Sequence, residues 1–224
     1  MNKKIKFGIS LLFATACIAQ AEIVQSTVSA GGTQSNSKGT VIDFDSSTVA
    51  NATASPALTN GVSYSIDSLQ LTVAMDAGSM TNDITVYLGV YTSLSGSTLS
   101  GFQGVSDFAI TIVDDNNRKP ITWDFSNMSV TSEANPGSGG DQRYFVFQTG
   151  TTALADLSAA TTVALRKRDN VGYTNQLSAV LLSKMQTNKN PLYVATLSIP
   201  EPATWGLIAI MAGGIIFVHR RFVR

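Results

Sequence analysis

Few side chains in this sequence have the type and spacing that chemistry requires. Asp114-Asp115-Asn116-Asn117 is an oxygen-rich loop that follows a run of strand-forming residues. Such loops can hold calcium through carboxylate and carbonyl oxygens, so Asp114 and Asp115 are the candidate metal ligands. The loop lacks the D-x-[DN]-x-[DN]-G register, and clustered Asp and Asn are also ordinary turn formers. Asp43 and Asp45, two positions apart, fall on the same side of a strand, where a solvated strand edge is the plain expectation and a share in a metal site the alternative. Ser35-Asn36-Ser37-Lys38 fits the S-x-x-K spacing of acylating enzymes, but no K-T-G accompanies it, and the match is read as chance. Nothing in the sequence pairs two carboxylates as a glycosidase needs.

What is missing narrows the chemistry further. The one cysteine, Cys17, and the one histidine, His219, lie in the apolar segments at the two ends. The stretch from Glu22 to Ile199 therefore has no imidazole or thiol for a Ser–His–Asp triad, a Cys–His dyad, a zinc cluster or a disulfide. It carries nine basic residues against 14 acidic ones, a formal charge of −5. A mildly acidic surface argues against nucleic acid as a partner, because phosphate binding rewards basic patches. No enzymatic activity is expected.

The ends are of a different character. Lys3, Lys4 and Lys6 precede a short apolar run, Phe7 to Ile18, and Ala19-Gln20-Ala21 supplies a small-x-small pattern. This reads as a secretory signal over residues 1–21, cut by signal peptidase before Glu22. A retained anchor is the alternative, although the run is short for a membrane span. A lipoprotein signal at Cys17 is a second alternative, although Ala14 stands where such signals prefer Leu.

Residues 200–224 open with Pro200-Glu201-Pro202, continue as an apolar segment through Val218, and end on Arg220, Arg221 and Arg224. The two prolines exclude a regular helix or strand at the motif. Ala203 to Val218 is 16 residues, about 24 Å as a helix, slightly short of a bilayer core of about 30 Å. Trp205 at one interface and the arginines at the other extend that reach, and the arginines orient the tail with its end in the cytoplasm.

Motif, apolar span and basic end, in this order, resemble the PEP-CTERM sorting signal. That resemblance covers about the last 25 residues. It implies a substrate of an exosortase-type membrane transpeptidase, cut near Pro200-Glu201-Pro202 after export through the inner membrane. It also implies delivery to the surface of a bacterium that makes extracellular polysaccharide. A plain tail anchor that is never processed is the competing reading.

Residues 22–199 must then form the cargo. Period-two alternation recurs in short runs: Val41–Phe44, Tyr64–Met75, Ile84–Tyr91, Phe108–Ile112, Ile121–Phe125, Tyr144–Phe147, Thr161–Leu165, Leu177–Leu182 and Leu192–Ile199. These predict an all-β, two-sheet antiparallel sandwich, jelly-roll-like, with the tail as a transmembrane helix. Tyr64 and Ile66 occupy even positions while Leu69, Leu71 and Val73 occupy odd ones, which predicts a bulge or break at Asp67-Ser68.

Residues 22–39 read as a flexible lead or irregular first strand, and Ala153–Ala164 is the best, though poor, helical candidate. Arg166-Lys167-Arg168 reads as a solvated edge. Tyr91, Tyr173 and Tyr193 are the aromatics that could face solvent and stack on sugars. The expected role is structural or adhesive, at the surface or in the polysaccharide matrix. The alternative is a lectin-like module, with calcium as its one conceivable cofactor.

Overall fold

The computed structural model describes residues 22–27, 34–44, 52–55, 57–74, 82–114, 118–133, 142–166, 179–181 and 192–199. The signal residues Ala19 and Ala21, the motif Pro200-Glu201-Pro202, Arg220, Arg221, Arg224, Asp45, Asp115, Lys167, Arg168 and Tyr173 lie outside the described residues. Among the described residues no helix is long and apolar enough to cross a membrane.

The chain runs through β1 (Glu22–Thr27), β2 (Gln34–Ser37), β3 (Gly39–Asp43), β4 (Ala52–Ser55), β5 (Ser63–Ala74), β6 (Ile84–Ser95) and β7 (Thr98–Val105). It continues through β8 (Ile110–Ile112), β9 (Arg118–Asp124), β10 (Ser129–Thr131), β11 (Gln142–Gln148), β12 (Val163–Arg166), β13 (Ala179–Leu181) and β14 (Tyr193–Ser198). All the pairings are antiparallel and they make two sheets.

In the first sheet β5 is the hub. One side of it pairs with β9 and β10, and the other with β14 and, at Val73–Leu165, with β12. β1 lies between β14 and β4, while β2 pairs with β12. The second sheet runs β13-β3-β11-β6, with β7 and β8 both along β6. The β6–β7 hairpin closes on Gly96-Ser97, with Gly96 at φ +63, a backbone region that glycine enters without steric cost.

Alternation along the strands places one apolar face of each sheet against the other. Val86, Leu88 and Val90 of β6 point into the same core as Leu69, Leu71 and Val73 of β5. Trp123 of β9 packs on Phe147 of β11 across the gap between the sheets, ring centroids 5.8 Å apart, and its indole N–H donates to the Val86 carbonyl at 3.4 Å. Arg143 of β11 also points inward. Its guanidinium crosses to β10 and donates to the Ser129 carbonyl from Nε at 3.1 Å and Nη2 at 2.9 Å.

The predicted face switch in β5 is present. The partner of Thr196 is Ser68 and the partner of Leu197 is Ile66, so Asp67 is the extra residue of a bulge. On the other side of β5 the break between β9 and β10 sits at the same level. There Phe125 N–H donates to the Asp67 carbonyl at 2.8 Å, and Ile66 N–H donates to the Met128 carbonyl at 2.9 Å.

Several expectations need correction. Of the two readings of the lead from Glu22, the strand holds and the flexible segment does not, within the described residues: β1 and β2 are both paired, because cross-strand partners supply the order that local composition does not. Ala153–Ala164 is not an α-helix: it is an extended segment with a single 3-10 turn at Leu157–Ala159, which then enters β12. Arg166 is not on an edge, since β12 is flanked by β2 and β5. Asp43 is buried, not solvated, because β3 is an inner strand between β11 and β13. The run expected to start at Phe108 begins as β8 only at Ile110, and Phe108 precedes it, 74% exposed.

Candidate functional site

The two sheets differ in what their outward faces carry. On the second sheet, Tyr91 of β6, Leu99 and Phe102 of β7, and Tyr144 and Val146 of β11 turn away from the core. Residues 149–162 form a strap over them, and Leu154, Leu157 and Ala160 of the strap complete a second apolar cluster. Tyr91 is thus fully buried, and so is Tyr193, which faces the main core; neither offers a ring to a sugar.

Polar contacts hold the strap at both ends. The Tyr91 hydroxyl donates to Gln148 Oε1 at 2.9 Å and accepts from Leu154 N–H at 2.7 Å. Gln148 Nε2 donates to the Gly150 and Thr152 carbonyls at 2.7 and 3.1 Å. Gly89 makes room for that amide, because a Cβ there would collide with Gln148 Oε1. Farther along, Leu99 N–H donates to the Ala155 carbonyl at 3.0 Å, and Leu157 N–H donates to the Ser97 carbonyl at 2.8 Å.

Asp156 caps the 3-10 turn. Its carboxylate accepts from Ser158 N–H at 2.7 Å and from the Ser97 hydroxyl. The Ser97 hydroxyl first, then Ser158, hold its pKa down at about 2. At the other end of the turn, Lys38 Nζ donates to the Leu157 and Ser158 carbonyls at 3.0 and 2.7 Å. The ammonium of the S-x-x-K match is therefore a structural cap on the strap.

The first sheet presents hydroxyls and amides outward instead. Ser63 and Thr131 share a hydrogen bond of 2.9 Å, and Gln70 Nε2 donates to the Thr122 hydroxyl at 3.1 Å. At the edge shared by the two sheets, Asp107 accepts from Ser126 N–H at 3.1 Å and from the Ser126 hydroxyl at 2.6 Å. Asp107 N–H donates to the Asp124 carbonyl at 2.9 Å, which ties the β7–β8 connection to β9. β9 carries Lys119 and Pro120, residues that discourage a further strand from adding there.

Asp114 stands just after β8, and its N–H donates at 2.9 Å to Oδ1 of Asp83, just before β6, across the end of the β6–β8 pairing. Among the described residues, no group of three or more His, Cys, Asp or Glu side chains comes together to hold a metal ion. Asp43 of β3 acts on the adjacent strand β11. Burial first, and the Asp43 charge second, push the Tyr144 phenol above its ordinary value. Arg143, Gln148 and Asp156 carried no sequence signal of their roles, since each depends on a partner on another element.

The first and last strands end together. Glu22, the first residue of β1, is the Cα partner of Ser198, the last residue of β14, and Ile23 is the partner of Leu197. The Ser198 hydroxyl donates to Asp67 Oδ1, in the β5 bulge, at 2.9 Å. Ile199 follows, 39% exposed, and the next residue in the sequence is Pro200. Compared with protein-family models, curated proteins and solved structures, the chain matches none.

Proposed function

We propose that this protein is a non-catalytic surface or matrix component of a bacterium, exported by its signal peptide and sorted by a PEP-CTERM tail. The observation that carries the reading is the pairing of Glu22 with Ser198. The expected signal cut falls immediately before Glu22, the first paired residue among the described ones, and the expected sorting motif begins two residues after Ser198, the last of them. A cargo domain trimmed at both ends needs all its strands between the two cuts, and both of its membrane connections on the same side. The register of β1 on β14 supports the second of these, since it sets the start of β1 beside the end of β14.

The domain itself reads as a jelly roll. The chain changes sheet between most successive strands on either side of the β6–β7 hairpin, which gives two sheets without a long run of neighbours in sequence. A structural or adhesive role is favoured over a lectin, because Tyr91 and Tyr193 are withdrawn from solvent. The open face of the first sheet, with its serine, threonine and glutamine groups, is the surface such a matrix protein would present to polysaccharide.

Intact-mass and peptide measurements on the mature protein, recovered from a host that carries an exosortase, test the sorting. The expected product starts at Glu22 and has no peptide beyond Pro202. Recovery of the uncut 224-residue chain would overturn the reading.

A further inference from the structure

The last strand finishes almost on top of the motif to be cut. From Ser198 to Pro200 the chain advances two residues, a reach of at most about 7 Å even fully extended. One layer of protein is thicker than that, since a single helix with its side chains is about 10–12 Å across. No wall of an enzyme cleft fits between the sheet and the motif while Ser198 stays in register.

We infer that the end of β14 is a latch on sorting: Leu197 and Ser198 must leave the sheet before the membrane transpeptidase can grip Pro200-Glu201-Pro202. The inference rests on the sorting reading above. Freeing two residues adds about 7 Å of extended chain, enough to span that layer. The fold marks where the opening stops, because the bulge in β5 falls between the partners of Thr196 and Leu197 and divides the last two residues from the regular ladder. Asp67, the bulge residue, holds the end closed through the Ser198 hydroxyl, and β1 holds it from the other side through Glu22 and Ile23. The latch couples sorting to the state of the domain: a chain whose sheet end cannot open keeps its tail, however accessible its motif is in an isolated peptide.

A disulfide across the end rung tests this. Antiparallel Cα partners sit about 4.5–5.5 Å apart, within the range a disulfide spans. The stretch between Glu22 and Ile199 has no thiol to interfere. The pair Glu22→Cys and Ser198→Cys, oxidised during export into the periplasm, is compared with each single variant in a host carrying an exosortase. Loss of the tail is followed by mass spectrometry and closure of the bridge by non-reducing gel. The bridged protein is expected to lose its tail roughly tenfold more slowly than either single variant, since local opening is blocked.

Reduction should restore the rate, and so should a flexible Gly-Ser insert of about six residues between Ile199 and Pro200, which supplies the missing reach without opening the sheet. Rescue by the insert also shows that the bridged domain is folded and exported. Equal processing of bridged and single-cysteine proteins would overturn the latch and leave the sorting reading standing. Retention of the tail by the unaltered chain would instead overturn the sorting reading, and the latch with it.

Discussion

Tyr91, Leu99 and Val146 turn outward from the second sheet, and Ser63, Gln70 and Thr122 turn outward from the first. Both sets obey the same alternation, but the first set is roofed by residues 149–162 and the second meets solvent. An outward position on a strand thus has no fixed fate: a connection long enough to fold back can turn it into core. The strap makes much of the second sheet a middle layer, buried on both faces. Among the described residues, that leaves the outward face of the first sheet as the one not covered by the strap.

The largest test of this contrast is Tyr91→Ala. It removes a buried ring packed 5.1 Å from Phe102, centroid to centroid, together with the hydroxyl that holds both Gln148 and the strap. Truncating a large buried aromatic costs about 3–5 kcal/mol, and thermal or urea unfolding measures it. A cost below about 0.5 kcal/mol, the range of a surface change, would mean that the strap is only loosely laid on the sheet and that the two faces are alike.

Acid offers a sharper probe of the strap alone. The Asp156 pKa is lowered in the folded protein, so its contribution is present above the ordinary value of 3.8 and is lost as the pH falls through about 2. Amide exchange at Ser158 and Leu154 is expected to accelerate over that window while core amides such as Leu88 stay protected. Asp156→Asn should abolish the step. A step of the same size in the variant would place its origin in another carboxylate.

The legible part of the fold was the part written in local periodicity. β5, with its bulge at Asp67, and the alternation of β6 follow directly from which positions are apolar. β7 was not legible: Gly101, at φ +64, interrupts its pattern, and a side chain there would strike Thr92. Its apolar residues Leu99 and Phe102 face the strap, so their spacing answers to a partner distant in sequence. β1 and β2 are short and polar, and only β14, β4 and β12 make strands of them.

The candidate residues divide in the same way. Pro200-Glu201-Pro202, the motif proposed for sorting, is legible because it is a linear pattern that needs no partner from another strand. Asp43 and Arg166 depart from their expected solvated edges because their surroundings are assembled from other strands.

The smallest expected effect is on the open face. Ser63→Ala, Gln70→Ala and Thr122→Ala remove exposed or half-buried groups whose hydrogen bonds, Ser63 to Thr131 and Gln70 to Thr122, solvent can replace. Each should change stability by no more than about 0.5 kcal/mol, as surface substitutions do, and the triple variant should unfold within a few degrees of the unaltered protein. If this face contacts polysaccharide, retention of the triple variant in the matrix falls while its stability does not. A face that only covers the core would show the reverse, a loss of stability with retention unchanged. Stability and retention, measured on one variant, therefore separate a surface that is presented from one that is merely left uncovered.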